Sequence, residues 1–230
     1  MPMQKKTEFH YHIQVKDQTL FELTVKVHPV TKNIVFQSDL EQPESLPKWT
    51  ELSYHQCSHC PYNQNQKKHC PVAANISHVV GAFKETMSYT VTHVTVIGPD
   101  RKYEKTTDLQ VALQSLLGLL MAGSDCSHFD FLKNLVPTHL PFSTIEETMN
   151  RILGSELNKY IQLAKSDAEF SKLTIDKISN SIKNNYEPIS LVNTFLMERI
   201  TSITKEGESI QNAIIILSVF SDLIPIESAS

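Results

Sequence analysis

A chain of 230 residues, 40% hydrophobic and 20% charged, is long enough for one large domain or two small ones and can bury most of its apolar surface without staples. Its formal net charge of −4, with lysines scattered along the chain, offers no basic stripe of the kind that neutralises phosphates, so nucleic acid is not an expected partner. No apolar segment follows the first residues, and the greasiest runs, 111–121 and 213–217, fall short of the roughly 20 residues that a spanning helix needs. The expectation is therefore a cytoplasmic protein without membrane contact.

The chain opens with strand periodicity. Phe9, Tyr11, Ile13 and Val15 share one face, with His10, His12 and Gln14 on the other. After the polar turn Lys16-Asp17-Gln18-Thr19 the alternation resumes at Phe21, Leu23, Val25 and Val27, and Ile34-Val35-Phe36 offers a third short strand of an antiparallel meander. A loop bearing Pro43 and Pro47 leads through Trp49 and Leu52 into a cysteine-rich run. Asn75 is placed to cap a helix carrying Ile76, Val79, Val80, Phe83 and Met87. Residues 89–97 read as a strand, Gly98-Pro99-Asp100-Arg101 as a turn, and residues 102–105 as its hairpin partner.

From Thr107 the periodicity becomes helical. Thr107 with Gln110 fits a capping box opening a buried helix over 109–121, which stops at Gly123. Ser143 with Glu146 repeats that signature ahead of a helix carrying Ile145, Met149, Ile152, Leu153, Leu157, Tyr160 and Ile161. Further amphipathic segments cover 167–183, 189–204 and 208–223. The fold class is α+β: an N-terminal antiparallel sheet with a cysteine-rich metal knuckle, then a C-terminal helical bundle. Residues 1–106 form a β-rich lobe and 107–230 a helical lobe, with a seam near 105–108, unless the two make one integrated domain.

Three of the four cysteines lie in the run Cys57-Ser58-His59-Cys60-Pro61 to His69-Cys70-Pro71. Buried filler cysteines sit in apolar runs, whereas this loop is polar. A Cys-x2-Cys pair sets two thiols on one turn, where both reach a tetrahedral ion at about 2.3 Å. In a reducing compartment structural disulfides are disfavoured, which leaves metal ligation, a thiol redox pair at Cys57 and Cys60, or free thiols. A closed zinc site needs a fourth ligand. Cys126, in Ser124-Asp125-Cys126-Ser127-His128, would complete a four-thiolate set; His128, His69, His59 or His55 would instead give three thiolates and one imidazole. Proline after Cys60 and after Cys70 matches the ending of ferredoxin-type runs, so an iron–sulfur cluster stays open beside zinc. No Gly-rich phosphate loop is present, so nucleotide chemistry loses its usual support.

The stretches Cys57-Ser58-His59-Cys60-Pro61, Cys70-Pro71-Val72-Ala73-Ala74-Asn75-Ile76, Leu116-Leu117-Gly118-Leu119, Asp125-Cys126-Ser127-His128 and His139-Leu140-Pro141-Phe142 resemble an uncharacterised bacterial family, a domain of unknown function, over residues 49–160. That resemblance brings no activity with it. It implies that Cys126 belongs with the first three cysteines, and that Asp125, His128 and His139 lie near them.

Other polar residues have simpler readings. His10 and His12 could chelate together but face away from the apolar side, which favours solvation. Glu146 and Glu147 suit a helix start, with Glu147 and Arg151 an i, i+4 pair. Tyr160, Phe170 and Phe195 read as core. The expected function is a metal-binding protein, with zinc on Cys57, Cys60, Cys70 and Cys126 (alternates His128, His139 and His69), of regulatory or partner-binding type. The alternative is a metal-dependent, iron–sulfur or thiol oxidoreductase using the same cysteines with His128 or His139. The partner, protein or small molecule, is not identified by the sequence, and a homo-oligomer stays open.

Overall fold

The computed structural model describes residues 7–15, 19–35, 46–164 and 175–227. Strands β1 (Thr7–Val15), β2 (Thr19–Val27) and β3 (Ile34–Val35) pair antiparallel, and the hairpin of β4 (Val91–Ile97) and β5 (Lys102–Asp108) adds on the free side of β1. The sheet order is β3-β2-β1-β4-β5. In this register Tyr11 stands opposite Leu23 on one side and Val96 on the other, and Ile13 lies between Phe21 and Val94. Period-two alternation puts these side chains on one buried face. His10 and His12 take the polar face and pair across to β2, with His10 Nδ1 3.0 Å from Thr24 Oγ1 and His12 Nδ1 2.9 Å from Glu22 Oε1. The turn 16–18, Phe36, Pro43 and Phe170 lie outside the described residues.

The described residues include five α-helices, α1 (Pro71–Phe83), α2 (Leu109–Ala122), α3 (Ile145–Ala164), α4 (Ile175–Thr201) and α5 (Ser209–Glu227), with a 3-10 segment at Ser127–Thr138; α2 lies on the apolar face of the sheet. Helix α2 is the hub. It packs on β1, β4 and β5 on one side and on α1, α5 and the 3-10 segment on the others. Its Leu109, Leu113, Leu116, Leu117 and Leu120 have no solvent exposure, which accounts for a helix apolar nearly all round. One continuous core runs from Phe9 of β1 to Ile214 of α5. At residues 108–109 β5 runs straight into α2. No single helix among the described residues is long and apolar enough to cross a membrane.

Several helix starts differ from the pattern expected. Helix α1 begins at Pro71, with Cys70 as its cap residue, because proline is favoured where the N–H has no helical partner anyway. Asn75 lies inside the helix and donates to the Leu120 carbonyl at 3.0 Å. Thr107 is still in β5. The first amides of α2 are met instead by backbone carbonyls, Leu109 N–H by Thr90 and Gln110 N–H by Ser88. The capping box of α3 sits one residue later than the sequence suggests. Thr144 N–H donates to Glu147 Oε2 at 2.8 Å, and Glu147 N–H donates to Thr144 Oγ1 at 3.1 Å. Glu147 is thereby taken up in the cap, and Arg151 turns to the Leu135 and Thr138 carbonyls.

Helix α4 runs unbroken through Pro188, where the sequence suggests two segments. The buried stripe Ile182, Tyr186, Ile189, Val192, Leu196 and Ile200 keeps its helical spacing across the proline, and its burial outweighs one lost hydrogen bond.

Two glycines are set by close approach. A Cβ on Gly123 would lie 2.5 Å from Ile34 Cγ1, and one on Gly207 would lie 2.3 Å from the Glu85 backbone carbon. The second contact has no flexible side chain that can yield. Gly154, on the exposed face of α3, has nothing within 4 Å. Gly207→Ala is therefore expected to lower the unfolding free energy by about 1–3 kcal/mol, and Gly154→Ala to raise it by about 0.5–1 kcal/mol. Urea unfolding of the two variants checks both signs.

Candidate metal centre

The knuckle is held by a short two-rung tie. Leu52 N–H donates to the Lys68 carbonyl and Cys70 N–H to the Thr50 carbonyl, each at 2.8 Å, with Glu51 and His69 bridged antiparallel between them. The chain between the rungs loops out and carries Cys57 and Cys60 on one turn, closed by Cys60 N–H to the Cys57 carbonyl at 3.0 Å. Cys70 then caps α1, so the positive end of that helix lies beside the third thiol. Cys126 arrives from the opposite direction, just past the end of α2, and starts the 3-10 segment.

Three side chains fasten these pieces together. Arg199 of α4 is only 1% exposed, and its guanidinium donates to the carbonyls of Trp49, Glu51 and Leu52 at 2.7, 2.8 and 3.3 Å. Tyr62 donates its hydroxyl to the Asp125 carbonyl at 2.8 Å, and Lys67 pairs with the Asp125 carboxylate at 2.5 Å. The Lys67 ammonium holds the Asp125 carboxyl below its ordinary range. Nothing in the cysteine motif announces these three. For Arg199 a signal does exist: it lies three residues after Leu196 and seven after Val192, on the buried stripe of α4, where a charge needs several acceptors.

The four cysteines form no disulfide. Cys70 and Cys126 are buried, and Cys57 and Cys60 half-buried. Burial pushes the Cys57 thiol up to about 12, and the neighbouring Cys70, Cys60 and Cys126 add to the rise while Arg199 opposes it. Burial likewise pushes Cys126 up to about 12; the His128 backbone N–H, hydrogen-bonded to the sulfur, opposes this, and Cys70 and Cys60 reinforce it. Cys57 thus lies within electrostatic reach of the other three thiols, and Cys126 of Cys60 and Cys70, although Cys126 is 56 residues beyond Cys70 in the sequence. As the side chains stand, no three His, Cys, Asp or Glu among the described residues are already arranged as a ligand cage.

The histidines divide. His69 Nδ1 lies 2.8 Å from Thr50 Oγ1, and His55 pairs with Glu198 at the surface. His128 Nε2 donates to the His59 carbonyl at 3.0 Å, and the two rings meet at a tilt of 42° with centroids 4.5 Å apart. His59 Nε2 donates to the Pro188 carbonyl at 3.2 Å, which leaves its Nδ1 buried and without a partner. In a neutral imidazole that nitrogen carries a bare lone pair. Asp125 and His128 therefore adjoin the knuckle. His139 is committed elsewhere, with Nε2 2.5 Å from the Tyr11 hydroxyl, which also lies 3.3 Å from Ser115 Oγ.

The chain belongs to the family described as a domain of unknown function, DUF6901, whose profile matches residues 9–229. The match takes in the sheet, the knuckle and all five helices, a wider span than the motifs alone suggest. No curated protein and no solved structure matches the chain.

His139 gives the fold an acid sensitivity. Its ring packs edge-on to Phe9 and faces Tyr11, and loss of hydration, aided by the nearby Arg151 charge, pushes its pKa down to about 3. Below pH 6.5 the unfolded chain binds a proton that the folded chain refuses, so stability is present above that pH and lost as pH falls toward 3. At pH 5 the loss from this group is about 2 kcal/mol. Urea midpoints at pH 7.5 and pH 5 check this: His139→Gln should narrow the gap between them, and an unchanged gap contradicts the assignment.

Proposed function

We propose that this protein binds one zinc ion through the thiolates of Cys57, Cys60, Cys70 and Cys126, and that the ion braces the knuckle against the helical layer in a protein of regulatory or partner-binding type. The observation that carries the reading is the placement of four unbridged thiols, two buried and two half-buried, from three separate stretches of chain, with Cys57 and Cys126 each perturbed by the sulfurs of the other stretches. Protonated, such thiols are weak nucleophiles and gain little from their closeness. A divalent cation reverses this, because it deprotonates the ligands and turns mutual repulsion into shared attraction.

The surroundings suit a thiolate-rich site. Four thiolates on Zn²⁺ leave a net charge of −2, and the Arg199 guanidinium acts on Cys70, Cys57 and Cys60 as an offsetting cation. The His128 N–H on Cys126 supplies the outer hydrogen bond that orients a ligand. In a reducing cytoplasm the thiols stay available as ligands.

One observation supports a second ligand set. The orphaned Nδ1 of His59, two residues after Cys57, could replace one thiolate in a three-sulfur, one-imidazole site. Catalytic use of the centre, with an open coordination position and His128 or His139 taking part, draws less support, since both imidazoles already spend Nε2 on protein partners.

Elemental analysis of the full chain, purified without a metal-affinity tag, tests the proposal. One equivalent of zinc is expected. Cys126→Ser should then lose the metal and lower the unfolding midpoint, whereas loss with His59→Gln and retention with Cys126→Ser selects the imidazole set. A brown protein with visible absorption replaces zinc with an iron–sulfur cluster. Metal-free protein in which all four thiols titrate freely ends the metal reading altogether.

A further inference from the structure

Away from the knuckle, α2, the 3-10 segment, α4 and α5 frame a half-open pocket of about 130 Å³. Its walls are mainly apolar, with Leu119, Phe129, Val136, Leu217 and Phe220 among them. A void of that size, on the same measure, approaches the roughly 150 Å³ engineered cavity that holds benzene.

The polar groups in this wall are what make it unlike a packing defect. Asn193 is 1% exposed and lines the cavity; its Nδ2 makes a long 3.4 Å contact with Ser221 Oγ, while its Oδ1 has no partner. Tyr186, 4% exposed, lines the same space beside it. A buried amide oxygen left unpaired costs about 1–3 kcal/mol. An unpaired amide oxygen in the wall of an apolar pocket is better explained by an occupant than by chance.

We propose that this cavity binds a small, uncharged amphiphile, the size of a monocyclic phenol or alcohol, whose hydroxyl donates to Asn193 Oδ1 while its apolar body fills the space beside Leu119 and Phe220. The unpaired atom, Asn193 Oδ1, is an acceptor, which a carboxylate cannot satisfy. The one cation in the wall, Arg151, lies where the cavity borders an open surface depression, and its Nη2 already donates to Leu135 and Thr138. The site is separate from the cysteines and does not depend on the metal reading. It makes the protein a carrier or sensor of such a molecule.

Phenol, benzene and benzoate, titrated into the full chain as purified and followed by calorimetry and thermal shift, are the probes. Phenol should bind with one site per chain and raise Tm with concentration, and benzene should bind about tenfold more weakly for want of the hydrogen bond. Asn193→Leu should remove the preference for phenol without removing benzene binding, and Leu132→Trp, which plugs the wall, should abolish both. If Asn193→Leu does not fold, the phenol-to-benzene ratio in the native chain together with Leu132→Trp still decides. No binding of any probe at millimolar concentration means the cavity holds only water and overturns the proposal. Equal binding of phenol and benzene, or preference for benzoate, overturns the hydroxyl–Asn193 contact.

Discussion

A guanidinium with 1% of its surface exposed cannot stay in the fold unless its donors are met, and Arg199 meets them with three consecutive-region carbonyls of the knuckle's first arm. That constraint sets the position of everything that follows. Trp49, Glu51 and Leu52 are pinned to α4; the rungs from Leu52 to Lys68 and from Thr50 to Cys70 then fix the return arm, and Cys70 starts α1 against the core. The polar loop between these rungs adds little apolar surface of its own to the core. It is held by hydrogen bonds to its neighbours, and a metal ion would add the cohesion that burial does not supply there.

The same cation links architecture to chemistry. A cluster of four thiolates is unstable in a low-dielectric setting unless positive charge compensates it. Arg199 provides fixed charge on the α4 side and the N-terminus of α1 a partial charge on the Cys70 side; the proposed zinc ion would supply the remainder. On this account the knuckle, α1, α4 and the Asp125-Cys126 segment are parts of one electrostatic unit. The latch from Tyr62 and Lys67 to Asp125 brings the fourth thiol into it.

Much of this was legible in the residues. The alternation of Phe9, Tyr11 and Ile13 and of Leu23, Val25 and Val27 is the register of the sheet, because period two leaves no other face for them. The Cys-x2-Cys run stands out because its neighbours in sequence are polar, whereas in the fold Cys70 and Cys126 join the core and Cys57 and Cys60 pack against it. What was hidden depends on distant partners. Thr107 looks like a cap, yet Thr90 and Ser88 carbonyls do its work from the neighbouring strand. Pro188 looks like a helix end, yet the stripe from Ile182 to Ile200 carries the helix across it. His139 reads as a neighbour of the cysteines through its motif, but its imidazole is held by Tyr11, 128 residues earlier. Arg199 and Asn193 carry their meaning only through burial, which a helical wheel suggests but does not prove.

The central claim is that all four cysteines converge on one ion. X-ray absorption at the zinc edge, on the full chain as purified, reads this directly. The account predicts a first shell of four sulfurs at about 2.3 Å. A shell dominated by nitrogen or oxygen at about 2.0 Å would contradict it.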